Sequence, residues 1–90
     1  MSDRQDVVVF TSWACPYCIR AERLLKRKGV SYERVPIWRF LPGGRRALVE
    51  RFGAAHATVP QILVGDTHVG GCDELVALDR NGGLDELLGR

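Results

Sequence analysis

The sequence predicts a small α/β domain, a four-stranded mixed sheet flanked by three helices. Three observations carry this reading. An apolar run, Val7 to Phe10, leads into an amphipathic stretch and then a second β-prone run, all within about 30 residues, the size of a βαβ unit. Further along, Gly65-Asp66 separates two short β-prone runs as a two-residue turn suited to a tight hairpin. Finally, glycines stand where helices should stop, at Gly29 and at Gly82-Gly83.

Taken in order, Val7 to Thr11 lacks polar alternation, as expected of a central strand covered on both faces. Cys15-Pro16-Tyr17-Cys18 then opens a helix that runs on through Ile19 to Lys28. Pro16 suits the first helical position, and Ala21, Leu24 and Leu25 share a side with Cys18. Lys26, Arg27 and Lys28 complement the negative end of that helix. Val30 to Val35 reads as a second strand, parallel to the first by a right-handed crossover. Trp38 to Gly44 reads as a loop, and Arg45 to Phe52 as a second helix with Leu48, Val49 and Phe52 inward. Ala54-Ala55-His56-Ala57 leads to Thr58-Val59-Pro60. Gln61 to Val64 and Thr67 to Val69 form the hairpin, broken by Gly70-Gly71. Cys72 to Asn81 is a third helix with Leu75, Val76 and Leu78 inward and Asp73 and Glu74 at its positive end. A short amphipathic tail, Leu84 to Leu88, closes a chain without repeats or linkers, so residues 1–90 read as one domain.

Composition narrows the function. With 46% apolar and 27% charged residues the chain is ordinary for a soluble globular protein. A net charge of +2 does not argue for a nucleic-acid or membrane partner. No apolar run approaches the roughly 18 residues of a membrane span. The first six residues are too polar for a signal peptide, so the expected location is cytoplasmic. Three cysteines, one close pair and one distant, do not resemble a secreted disulfide framework. They also leave a tetrahedral zinc site incomplete, so no metal is expected.

The pair itself points to thiol chemistry. A cysteine capping a helix can accept hydrogen bonds from the N–H groups of Tyr17 and Cys18, at the positive end of the dipole. Cys18, three positions on, falls within disulfide reach of Cys15. A thiol whose pKa falls from about 8.5 to about 6 gains roughly 30-fold in thiolate at neutral pH, but its weaker nucleophilicity takes back roughly 13-fold. The larger benefit is in departure, because such a sulfur leaves a mixed disulfide readily. Cys72 reads as a small buried residue, and His56 and His68 as surface residues.

The order of elements resembles the thioredoxin fold. Three motifs in sequence, Cys15-Pro16-Tyr17-Cys18, Thr58-Val59-Pro60 and Gly70-Gly71-Cys72-Asp73, are similar to those of dithiol glutaredoxins of the small bacterial type. The resemblance runs from about Val7 to Leu88. It implies that Cys15 attacks glutathionylated substrates and that Cys18 closes a disulfide with it. It also implies a glutathione site at Tyr17, Thr58, Val59 before a cis Pro60, and the Gly71, Cys72 and Asp73 turn. Glutathione would be the co-substrate, glutathionylated and disulfide-containing proteins the partners, and a monomer the acting form. Two departures stand out. Ser12 occupies the position where the family commonly has a lysine, so Arg39, Arg46 or Arg51 would have to face the glycine carboxylate. The Trp38 to Gly44 loop also differs from the family's acidic turn. Two alternatives accompany the resemblance. One is a redoxin serviced by thioredoxin reductase and dedicated to ribonucleotide reductase. The other is an iron–sulfur carrier, which Pro16 and the Cys18 thiol disfavour.

Overall fold

The computed structural model describes residues 6–12, 15–37, 42–54 and 58–89. Its elements are β1 (Val7–Thr11), α1 (Pro16–Arg27), β2 (Tyr32–Pro36), α2 (Pro42–Phe52), β3 (Gln61–Val64), β4 (Thr67–Gly70), α3 (Cys72–Arg80) and α4 (Gly83–Leu87). The sheet order is β2-β1-β3-β4, with β1 parallel to β2 and antiparallel to β3, and β3 antiparallel to β4. β1 is therefore central, as its apolar run predicts.

Side chains alternate across the sheet, so its two faces have different cores. Val7 and Val9 of β1, with Ile62 and Val64 of β3, face α1 and α3 and pack with Ala21, Leu24, Leu25, Cys72, Leu75 and Leu84. Phe10 faces the other way, where the Phe52 ring of α2 meets it edge-on at 5.2 Å. His68 stacks on Phe52 at 4.4 Å, and the Arg51 guanidinium lies 5.2 Å from the Phe10 ring centre. His68 is thus half-buried and partnered, which corrects its reading as a surface residue. Lys28 joins the end of α1 to the two C-terminal helices through Asp79 at 2.6 Å and Asp85 at 3.2 Å.

Several ends shift by a residue, and three elements differ further from the sequence reading. α2 begins at Pro42, not Arg45: Pro42 opens the helix, where a missing N–H is harmless, and Gly43 and Gly44 sit in its first turn. β2 begins at Tyr32, not Val30, because its parallel partner β1 begins at Val7, which pairs with Tyr32. The tail is a fourth short helix, with Leu84 fully buried. Trp13, Trp38, Arg39, Phe40 and His56 lie outside the described residues. Among the described residues no helix is long and apolar enough to cross a membrane. Leu25 is fully buried at the centre of the larger core, so Leu25→Ala should destabilise the fold by about 2–5 kcal/mol. A lower denaturant midpoint at unchanged slope is the expected reading.

Candidate active site

Where β1 ends, Thr11 and Ser12 are buried and the chain turns into α1 with Cys15 as its N-cap. Cys15 has extended backbone geometry, and its Sγ accepts the Cys18 N–H at 3.4 Å. Pro16 takes the first helical position, as its fixed φ favours. Opposite, the Val59–Pro60 peptide is cis, and the Val59 carbonyl lies 3.9 Å from Cys15 Sγ. The turn before it is pinned from beneath: the buried Gln61 amide donates to the Thr58 carbonyl at 3.0 Å, and Gln61 Oε1 lies 2.7 Å from His68 Nε2.

A third segment completes the arrangement. Gly70 has φ +115°, a conformation side chains avoid, and a Cβ there would stand 2.9 Å from Glu74 Oε1. That leaves the strand free to turn sharply into α3, whose N-cap Gly71 donates its N–H to Glu74 Oε1 at 3.0 Å. The remaining N–H groups of the first turn have no intrahelical acceptor.

These segments enclose a groove of about 700 Å³. Cys15, Tyr17, Thr58, Val59, Pro60, Gly71, Cys72 and Asp73 all line it, so of the expected thiol pair and glutathione-site motifs only Cys18 is absent. Cys18 lies behind Cys15 and is 1% exposed. Pro16, Ile37, Leu48 and Glu74 also line the groove. Sequence reading did not assign them to the site; Ile37, just after β2, and Leu48, on the inner side of α2, are buried apolar residues that the fold brings to the groove. Among the described residues lining the groove none is a lysine or arginine; Arg46 and Arg51 are not among them, and Arg39 lies outside the described residues.

The two thiols differ in environment. Burial above all, and the Cys15 sulfur beside it, push the Cys18 thiol up to about 11, against the Thr11 hydroxyl and the Ser12 backbone, which pull it down. Burial also raises Cys72. A thiol with a pKa near 11 is roughly 0.1% ionised at pH 8, and the thiolate is the reactive form. Iodoacetamide at that pH should therefore modify Cys15, which lines the groove, in preference to Cys18, which does not. Peptide mapping reads this directly, and comparable labelling of Cys18 would contradict it.

Behind Cys18 lies a polar cluster that no sequence motif announces. Glu22, one helical turn beyond Cys18, accepts from the Thr11 hydroxyl at 3.2 Å and from the Tyr32 hydroxyl at 2.9 Å. Arg34 Nε lies 2.8 Å from the same carboxylate. Tyr32 and Arg34 share one face of β2, which turns both toward α1.

Two sulfurs in contact, one open to a groove and one sealed behind it, can pass a disulfide from a bound molecule to themselves. On this sheet order they define a thiol–disulfide oxidoreductase of the thioredoxin fold. Comparison with known proteins narrows the class. The glutaredoxin family model matches residues 7–69. A glutaredoxin of Pseudomonas aeruginosa is 51% identical over 82 residues, covering 91% of this chain and 94% of that protein. The solution structure of glutaredoxin from Brucella melitensis superposes with a TM-score of 0.81 at 42% identity, over 97% of this chain and 91% of that one. The buckwheat glutaredoxin–glutathione complex does so with a TM-score of 0.82 at 31% identity, over 94% and 77%. The chain belongs to the glutaredoxin family.

Proposed function

We propose that this chain is a glutathione-dependent oxidoreductase, reducing protein disulfides and glutathione mixed disulfides through Cys15 and Cys18. One observation carries the reading: Cys15 Sγ opens into the groove beside the Val59 carbonyl, while Cys18 lies behind it and does not line the groove. Cys15 attacks the glutathionyl sulfur of a mixed disulfide, the protein thiol leaves, and Cys15 carries the glutathione. A second glutathione thiolate then attacks that sulfur, releasing glutathione disulfide and restoring Cys15. For a protein disulfide, Cys18 attacks the mixed disulfide at Cys15 instead, and two glutathiones reset the resulting pair.

In this reading the tripeptide lies in the groove as an added strand against the Val59 backbone, with Tyr17 as its outer wall and Thr58 at its edge. Its γ-glutamyl carboxylate falls to the N–H groups of Cys72 and Asp73, since the Gly71 N–H is already donated to Glu74. Its amino group pairs with the Asp73 side chain. The buckwheat neighbour, described in complex with glutathione, supports glutathione as the ligand. The proposed setting is cytoplasmic, with a monomer acting on protein partners and no metal, membrane or nucleic acid involved.

The test is turnover with glutathione and glutathione reductase, compared with turnover on thioredoxin reductase. The reading expects rapid NADPH oxidation with the first and background with the second. The reverse result would make the chain a redoxin serviced by thioredoxin reductase. A brown protein with visible absorption would point instead to an iron–sulfur carrier.

A further inference from the structure

Resolution of a mixed disulfide poses a problem of proton traffic. Cys18 must lose its proton as its sulfur bonds to Cys15, yet it is 1% exposed and absent from the groove lining. While a mixed disulfide is attached at Cys15, its other half fills the groove, so that side offers no exit. Behind Cys18 an exit exists. The Thr11 side chain, itself 1% exposed, acts on the Cys18 thiol on one side, where its hydroxyl pulls that thiol down, and donates to Glu22 at 3.2 Å on the other. Glu22 borders a depression on the opposite surface, shared with Ile19, Arg23, Tyr32 and Arg34.

We infer that Thr11 and Glu22 form a proton relay that carries the Cys18 proton away from the groove and out between α1 and β2. Resting on the dithiol route proposed above, the step balances as follows. The Cys18 sulfur attacks the Cys15 sulfur of the mixed disulfide, and the bond from Cys15 to the partner sulfur breaks. The partner leaves as a thiolate, reduced by the electron pair, and Cys15 and Cys18 are oxidised to a disulfide. The Cys18 proton passes to the Thr11 oxygen as the Thr11 proton passes to the Glu22 carboxylate. Water in the depression then takes the proton from Glu22.

The groups facing this carboxylate suit that direction. Thr11 faces it from β1, Tyr32 and Arg34 from β2, and Arg23 and Lys26 flank the depression on α1. Burial first, then the Glu22 hydrogen bond, push Tyr32 up to about 12, so it stays a donor. Arg34 is likewise a donor only. Neither can take a proton from Glu22, which leaves water as the acceptor. Glu22 itself keeps slight exposure, 12% of its side chain. Cys18 in turn faces Cys15, the Thr11 hydroxyl and the Ser12 backbone.

The test is a single turnover. Full-length protein carrying thionitrobenzoate as a mixed disulfide on Cys15 releases the coloured thiol when Cys18 attacks. Glu22→Gln, which keeps acceptors for Tyr32 and Arg34 but is no base, should slow release by about tenfold or more near neutral pH. The deficit should close as pH rises toward about 11, where the Cys18 thiol ionises unaided. Thr11→Val should match it, and Thr11→Ser, which restores a hydroxyl, should recover the rate. Unchanged release in Glu22→Gln would overturn the relay. So would an equal slowing at every pH, which marks displaced geometry, or a Thr11→Ser protein as slow as Thr11→Val. Release undiminished in Cys18→Ser would instead sink the dithiol route itself, a separable outcome.

Discussion

Cys15→Ser should lower every disulfide-exchange activity by on the order of 10³-fold or more, while the fold stays intact. The loss follows from placement. Cys15 Sγ is the sulfur at the α1 N-cap, facing the Val59 carbonyl across the groove. A hydroxyl at the same position is a far weaker nucleophile and a poor leaving group in exchange. Cys72 lines the same groove but cannot substitute, because its thiol is raised by burial and is tied into the core that α3 shares with β1 and β3. The fold should survive because the serine oxygen can still accept the Cys18 N–H and donate toward Val59, leaving no buried polar group unpaired. Residual turnover above background in the serine variant would mean that another sulfur carries the attack.

Cys18→Ser should divide the activities. Reduction of glutathione mixed disulfides should persist, because that cycle uses Cys15 and two glutathiones in turn. Reduction of protein disulfides should fall to background, since the mixed disulfide on Cys15 then has no neighbouring thiol to release it. The geometry makes the split sharp: Cys18 does not line the groove, and among the described residues the sulfur beside it is that of Cys15. Parallel assays with a small glutathionylated substrate and a disulfide-bonded protein measure this directly. Loss of both activities would contradict the monothiol cycle.

Much of this was legible in the sequence, for local reasons. α1 announces itself through the Cys15 cap, Pro16 and the three- and four-residue spacing of Cys18, Ala21, Leu24 and Leu25, all of which are buried. β3 and β4 were marked by the Gly65-Asp66 turn between two short β-prone runs. What escaped depended on partners distant in sequence. The start of β2 is set by where β1 begins. The first turn of α2 contains two glycines, each costing about 1 kcal/mol relative to alanine, so propensity alone argued for a loop. The helix forms nonetheless, buried through Leu48 and anchored by Phe52 on Phe10. Glu22 was least legible: a charged residue within a helix ordinarily faces water. It acquires partners only when the crossover lays Tyr32 and Arg34 beside α1. His68 likewise became part of a cluster only once β4 and α2 met.

The most direct test is to treat Cys18→Ser protein with glutathione disulfide and locate the adduct by mass spectrometry of its peptides. One glutathione per chain, attached at Cys15 and removed by further glutathione, is the predicted result. An adduct at Cys72, or none at all, would contradict the assignment of Cys15 as the attacking sulfur.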